Sequence, residues 1–265
     1  MEKTVFIFGE GELPRLILKK LKNPHQSFII IFNKKLTFNR KFKSKRINFG
    51  KVISELKNLK LNGFSRILMA GSMRRPNISE IKPDFNSIKL IPKFTKILFS
   101  GGDNNLLEFV IGELEKIGFK VLSLNKICPE FFLGIGNQTN QKISKSFFFD
   151  IEKGKKILEN NSKFDIGQSI VMQQGSVIGI EAAQGTDNLL RQSSTYINNK
   201  GVLIKLAKLN QDLRADLPTI GIRTLKNCHK FGICGVAYSA NKTIFINKGK
   251  ILEFCKNNNI FLFGI

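Results

Sequence analysis

Between Thr4 and Leu124 the chain alternates short apolar runs with stretches whose apolar residues fall at helical spacing. This alternation narrows the accessible folds more than any other feature. Thr4–Phe8, Ser27–Phe32, Arg66–Ala70 and Lys120–Leu124 read as strands, and Pro14–Leu21, Lys51–Leu61 and Leu106–Ile117 as helices. Pro14 suits the first turn of its helix, where no amide hydrogen is required. Strands alternating with helices predict a parallel sheet with crossover helices, a Rossmann-like α/β domain over residues 1–133.

Residues 134–144 are polar and rich in Gly, Asn and Gln, and read as a linker. Beyond them the pattern changes. Ser169–Met172 and Val177–Glu181 flank Gln173-Gln174-Gly175-Ser176 as a predicted hairpin. Gly201–Ala207, Ile233–Ser239, Thr243–Ile246 and Ile260–Phe263 read as further strands, with a helix near Gly249–Lys256. Mixed hairpins and helices predict an α+β domain with a mixed sheet over residues 145–265.

The 265 residues carry a net charge of +23, which invites a polyanion partner. Yet 34 of the 43 basic residues are lysine, and they occur beside 24 Phe and no Trp. That combination is what an AT-rich coding bias produces. Arginine, the better residue for bidentate phosphate and guanine contacts, is scarce. Phe sits inside apolar runs rather than interleaved with Arg, so no nucleic-acid partner is expected, and a basic nucleic-acid-binding protein is the weaker rival. The apolar runs Phe28–Phe32 and Phe231–Ala240 are too short to span a membrane. The first residues lack a signal-peptide core, and the four cysteines form no C-x-x-C pair. These features predict a cytoplasmic protein with reduced thiols and no zinc site; a metal would be held by oxygen ligands.

Several turns have the composition of ligand sites. Gly9-Glu10-Gly11-Glu12-Leu13-Pro14 stands where a dinucleotide fingerprint would, but Pro14 replaces the third glycine and two carboxylates would repel a pyrophosphate. A tight turn explains it, as does a backbone surface for close approach of a flat ligand. Gly71-Ser72-Met73-Arg74-Arg75-Pro76 falls at the carboxyl end of a strand and is either a ligand loop or a solvated basic turn. Gly101-Gly102-Asp103-Asn104 is either a helix cap or an anion site.

The densest cluster lies further on. Glu181-Ala182-Ala183-Gln184-Gly185-Thr186-Asp187 leads into Asn188–Arg191, where Asp187 and Arg191 would share a helix face as an ion pair. In Gln211-Asp212-Leu213-Arg214-Ala215-Asp216-Leu217-Pro218, Pro218 disfavours a helix through Leu217, so an extended form is expected with Asp212, Arg214 and Asp216 towards one surface. Two carboxylates flanking a guanidinium suit a site holding a metal and a phosphate, with a carboxylate handling water. They also suit a surface salt-bridge lattice, and Lys205, Lys208 and Arg223 nearby would extend either version.

These strings, with Asp165-Ile166-Gly167-Gln168, Gly201-Val202-Leu203-Ile204-Lys205 and Leu217-Pro218-Thr219-Ile220-Gly221, resemble the UDP-2,3-diacylglucosamine pyrophosphatases of lipid A synthesis, in the family unrelated to calcineurin-like phosphoesterases. The match runs nearly end to end. The resemblance implies Mg²⁺-dependent hydrolysis, with Mn²⁺ as the alternative metal, giving UMP and 2,3-diacylglucosamine 1-phosphate (lipid X). Water would attack the phosphorus on the sugar side. It implies a catalytic set of Asp216, Asp212, Asp187 and Arg214, and metal ligation by Asp212, Asp216 and Glu181. Substrate would be bound by Gly9, Gly11, Leu13, Pro14, Gly71, Arg74, Gly102, Asp103, Gly185, Thr186, Arg191, Lys205 and Thr219. A diacylated substrate also brings in the anionic inner-membrane surface as a partner. Two departures, Gln184 for a Glu and Asn104 for an Asp, each remove a negative charge and favour a binding protein without turnover as the alternative.

Overall fold

The computed structural model describes residues 2–32, 41–73, 76, 81–85, 87–100, 102–198, 200–209 and 211–265. The chain divides into two compact units, Met1–Cys128 with Arg214–Asp216, and Pro129–Leu213 with Leu217–Ile265.

In the first unit the elements run β1 (Lys3–Phe8), α1 (Leu13–Lys20), β2 (Ser27–Ile31), β3 (Lys43–Arg46), α2 (Val52–Leu61), β4 (Phe64–Ala70), α3 (Ile91–Ser100), α4 (Asp103–Lys116), β5 (Lys120–Leu122) and α5 (Leu124–Ile127). The described strands form one sheet in the order β3-β2-β1-β4-β5. Every pairing in it is parallel, with Ile7 opposite both Ile30 and Met69. This is the predicted parallel α/β domain. The central strands are continuous apolar runs because helices cover both faces of such a sheet. Val5, Ile7, Ile67 and Met69 pack with Leu56 and Leu59 of α2 and Ile111 and Leu114 of α4, and Ala215 packs against that core.

Two features of this unit have no clear signature in the sequence. β3 is Lys-Ser-Lys-Arg, exposed throughout, and carries no apolar signal. It is an edge strand held by backbone pairing to β2, with Lys45 pairing to Glu55 of α2, and lysine is what protects such an edge from further pairing. α3 and α4 are consecutive helices, and α4 begins three residues earlier than its apolar spacing announces.

The second unit contains β6 (Gly136–Asn137), α6 (Lys145–Asn161), β7 (Ser169–Gln173), β8 (Ser176–Ile180), α7 (Thr186–Ser193), β9 (Gly201–Lys205), β10 (Thr219–Ile220), α8 (Ile222–Lys230), β11 (Ile233–Tyr238), β12 (Ile244–Phe245), α9 (Lys248–Asn257) and β13 (Phe261–Gly264). Its larger sheet has the order β6-β13-β11-β9-β7-β8, and β10 pairs with β12 apart from it. β9, β11 and β13 are parallel, whereas β6, β7 and β8 join antiparallel, so the sheet is mixed as expected. The predicted hairpin is β7–β8. α6 anchors its turn, because Asp150 accepts from the Gly175 amide at 2.6 Å and Lys153 donates to the Gly175 carbonyl at 2.6 Å.

Period-two alternation sorts the sheet's side chains onto two cores. Leu203, Val236 and Leu262 pack with Leu189 and Leu190 of α7, Leu225 of α8 and Ile251 of α9. Val202, Ile204 and Ala237 face Ile151 and Leu158 of α6. α6 lies outside the expected elements, although Phe147, Ile151, Gly154 and Leu158 have helical spacing. Its lysine-rich outer face masks that stripe. The four cysteines are free, and burial pushes the Cys255 thiol up to about 12, which removes it as a nucleophile.

One contact tests the packing of this sheet. A Cβ on Gly235 would lie 2.0 Å from the ring of Phe261, its cross-strand neighbour. The ring occupies the space where a side chain would stand. Gly235→Val should therefore cost about 1–3 kcal/mol, read by urea denaturation, and Gly235→Val/Phe261→Ala should recover part of that loss.

Candidate functional site

The first unit carries a cavity at the carboxyl edge of its sheet, where open parallel sheets place their ligand sites. β1 and β4 end in loops that fasten to each other. The Glu10 amide donates to the Ser72 carbonyl at 2.7 Å, and the Ser72 amide donates back to the Glu10 carbonyl at 2.9 Å. A Cβ on Gly9 would lie 2.3 Å from the Ser72 oxygen, and one on Gly71, at φ +90°, 2.7 Å from the Glu10 oxygen. Both glycines are thus demanded by the approach of one loop to the other. Leu13 and Pro14 are buried in the first turn of α1. Gly11 sits just before that helix at φ +104°.

Beside these loops lies a cavity of about 660 Å³. Ile7 and Met69 come from the sheet, Phe49 and Ile53 from the segment entering α2, Ile91 and Phe94 from α3, and Leu106 and Phe109 from α4. Polar lining is sparse: Ser72, Ser87, Glu113 and Asp216. The Ser87 hydroxyl is buried with no partner, an open hydrogen-bonding group in an otherwise apolar wall. A mostly apolar cavity with a few placed polar groups suits an amphipathic occupant. Apart from Met73, Pro76 and Ala215, which lie in motifs already singled out, the apolar lining residues do not stand out in the sequence. An apolar residue facing a cavity and one facing a core leave the same trace there.

Asp216 reaches this cavity because Arg214–Asp216 belongs to the first unit. The expected extended conformation is corrected here, since Leu213–Ala215 forms a turn. The steric restriction imposed by a proline acts on the residue immediately before it, so Pro218 constrains Leu217 without reaching back to the turn. Arg214 pairs with Glu115 of α4, which holds its guanidinium. Gly102 is the residue before α4, with no side-chain cap, and Asp103 is the helix's first residue. The Asn104 amide donates to Glu108 at 2.8 Å, so an Asp there would instead face a second carboxylate. Arg74, Arg75 and Gly101 lie outside the described residues.

The second unit gathers a separate polar cluster. Lys205 ends β9 directly opposite Ser169, the first residue of antiparallel β7, and Glu181 follows β8. Lys205 is 5% exposed and Glu181 7%. Their charged atoms are 3.8 Å apart, and Thr186 joins them: its hydroxyl accepts from Lys205 at 2.6 Å and donates to Glu181 at 2.7 Å. Lys205 also donates to Ser169 at 3.2 Å, and the Gln168 amide to Glu181 at 3.3 Å. Burial opposes the charged carboxylate, but the Lys205 ammonium together with Ser169, Thr186 and the Gln168 amide outweighs it and holds Glu181 below its ordinary value.

Around this cluster, Gly185 precedes α7 at φ +76°, and Thr186 opens the helix. Asp187 does not pair with Arg191. Its Oδ2 accepts from Arg223 at 3.0 Å, and Arg191 reaches Asn188 at 3.5 Å. Helical spacing brings Asp187 and Arg191 to one face, but α8 offers a nearer guanidinium. Asp187 Oδ1 is buried without a partner. Gln184 closes its own loop, accepting from the Ala182 amide and donating to the Ile180 carbonyl, a pair of bonds a Glu could not make. Thr219 begins β10 and donates to the Leu217 carbonyl. Asp212 belongs to the second unit, between buried Gln211 and the turn.

Among the described residues, no three His, Cys, Asp or Glu converge on one point that could hold a metal. Glu181 is committed to Lys205, whose ammonium would repel a cation. In the second unit Asp187 Oδ1 remains as an unpartnered oxygen donor, and in the first unit the Asp216 carboxylate lines the cavity. Mg²⁺ is commonly held by one or two carboxylates, with substrate phosphates and water completing its shell, and a single carboxylate at the cavity, Asp216, suits that mode.

The Glu181–Lys205 pair yields a test with a defined sign. The folded carboxyl lies below its ordinary 4.5, so its stabilisation is present above that pH and is lost as pH falls through the folded value. Lys205→Met leaves the carboxylate buried alone and should cost about 3–5 kcal/mol near neutrality. Burial then raises the Glu181 pKa, and the sign reverses: stability of the variant should decline as pH rises above 4.5. Denaturant titrations across the acid-to-neutral range measure both slopes.

Comparison with known proteins covers both halves. Residues 3–131 match the LpxI N-terminal domain family, and residues 134–263 match the LpxI C-terminal domain family. A relative from Caulobacter vibrioides, named UDP-2,3-diacylglucosamine pyrophosphatase LpxI, is 29% identical over 225 residues, covering 82% of this chain and 79% of the relative.

Proposed function

This chain belongs to the LpxI family over both of its halves, and on that premise we propose that it hydrolyses the pyrophosphate of UDP-2,3-diacylglucosamine to UMP and lipid X in lipid A synthesis. The observation that carries the proposal is the apolar cavity at the sheet's carboxyl edge with Asp216 in its lining. Such a cavity takes an acyl chain, while the aspartate stands where a polar head would emerge. The unpartnered Ser87 hydroxyl gives that chain's amide or ester carbonyl a donor.

Water attacks the phosphorus on the sugar side. A new phosphorus–oxygen bond forms there as the bond to the bridging oxygen breaks, and that oxygen departs with UMP. Asp216, in the cavity lining, holds the metal or takes the proton from water. Arg214, held by Glu115, neutralises charge on the phosphoryl oxygens. Mg²⁺, when bound, supplies Lewis-acid stabilisation of the same oxygens. Glu181 and Lys205 set the position of Thr186 and the start of α7.

The two departures from the family pattern do not speak against turnover. Gln184 and Asn104 are both occupied in local hydrogen bonds. Each serves a loop or helix turn, so neither leaves the reaction short of a carboxylate.

Purified protein with UDP-2,3-diacylglucosamine and Mg²⁺ should release UMP, and chelation should stop the release. Release no greater than from boiled protein would exclude the reaction. Asp216→Asn should lower kcat by about 10²–10⁴-fold with the melting temperature nearly unchanged. A collapse in melting temperature instead would assign Asp216 to a structural salt lattice. Hydrolysis in ¹⁸O-water should label lipid X and leave UMP unlabelled, by mass spectrometry; label in UMP would place the attack on the other phosphorus.

A further inference from the structure

The wall of the cavity formed by α3 has an outward side of a different character. Leu90, Ile91 and Phe94 line the cavity. Lys89, Pro92, Lys93, Lys96 and Phe99 are exposed, at the three- and four-residue spacing of a single helix face. Phe99 is 79% exposed, and just before the helix Phe85 is 85% and Ile88 55% exposed. Three large apolar side chains stand in water on one short stretch, interleaved with lysines.

Among the described residues of this stretch, the exposed charges are all lysines. Lys82, Lys89 and Lys93 are exposed along it. The Lys93 ammonium lies 5.3 Å from the Phe109 ring centroid, a contact that leaves its charge unneutralised. The carboxylate of the same stretch, Asp84, accepts from the Ser87 amide. Phenylalanine and isoleucine beside lysine is the composition that lies in a bilayer interface, apolar groups at the acyl boundary and ammonium groups on lipid phosphates. Among the described residues no helix is long and apolar enough to cross a membrane, so contact through this face would be superficial.

We propose that the outward face of α3, with Lys82, Phe85 and Ile88, docks the protein on an anionic lipid bilayer. Phe85, Ile88 and Phe99 enter the headgroup region, and Lys82, Lys89 and Lys93 engage phosphates. The purpose of docking rests on the hydrolase reading: a diacylated substrate resides in a bilayer, and the inner side of this same wall lines the cavity that would receive its chain. Docking itself is measured without turnover, so the two readings fail separately.

The experiment is co-sedimentation of the full chain with vesicles of phosphatidylcholine alone or of phosphatidylcholine and phosphatidylglycerol in equal parts. The expected result is binding to the mixed vesicles that weakens with salt. Lys89→Gln/Lys93→Gln should weaken it about tenfold or more, and Phe85→Ser/Phe99→Ser should weaken it even at low salt. Both variants should release UMP from detergent-dispersed substrate at the wild-type rate. Equal binding to neutral and anionic vesicles, or unchanged binding by both variants, overturns the proposal. Self-association that Phe85→Ser/Phe99→Ser abolishes, without vesicle binding, also overturns it and gives the face to a second copy of the chain. Vesicle binding as expected but no UMP release by the wild type overturns the hydrolase reading and leaves docking intact.

Discussion

Parallel pairing is the constraint on which the rest of this structure depends. A parallel strand cannot return through a tight turn, so each must be followed by a crossover that covers a face of the sheet. In the first unit this makes β1, β2 and β4 apolar on both sides and sends their carboxyl ends to one edge. At that edge Gly9 and Gly71 let the loops after β1 and β4 lock together. The cavity forms beside that lock. In the second unit the same rule holds for β9, β11 and β13, while antiparallel β7 and β8 close one side with a hairpin.

The second unit also shows how a sheet can carry charge in its interior. Register places Lys205 opposite Ser169, and the chain leaving β8 brings Glu181 to the same end. Neither ion would be tolerated alone at such burial, and Thr186 completes the arrangement by bonding both. A pair of this kind is weak evidence for net stability, since apolar replacement of both partners is often neutral or better. What it supplies is position: it fixes where α7 begins and hence where Asp187 stands.

Much of this is legible in the chain itself. Strands with strong apolar runs, such as those ending at Phe8, Ala70 and Leu122, are visible because burial on both faces requires an uninterrupted apolar run. The β7–β8 hairpin is visible through its Gly-containing turn. β3 is not, because an edge strand is stabilised by backbone bonds and its side chains carry no pattern. α6 hides behind lysines on its solvent face. Among the site residues, the Arg214–Asp216 segment draws attention through charge spacing, yet it does not take the extended form expected of it. Pro218 restricts only Leu217, and the chain turns at Leu213–Ala215 with Ala215 packed against the first core.

The two-part α/β and α+β organisation and the family resemblance could be read from the chain itself, because periodicity and residue type are local properties. Which groups pair was settled by folding. Asp187 went to Arg223 rather than Arg191, Glu181 to Lys205, and Arg214 to Glu115. Only folding, too, separated apolar residues that fill a core from those that line a cavity, and left Phe85 and Phe99 facing water. Spacing along a chain says which groups can share a face; which of them meet depends on elements far apart in sequence coming into contact.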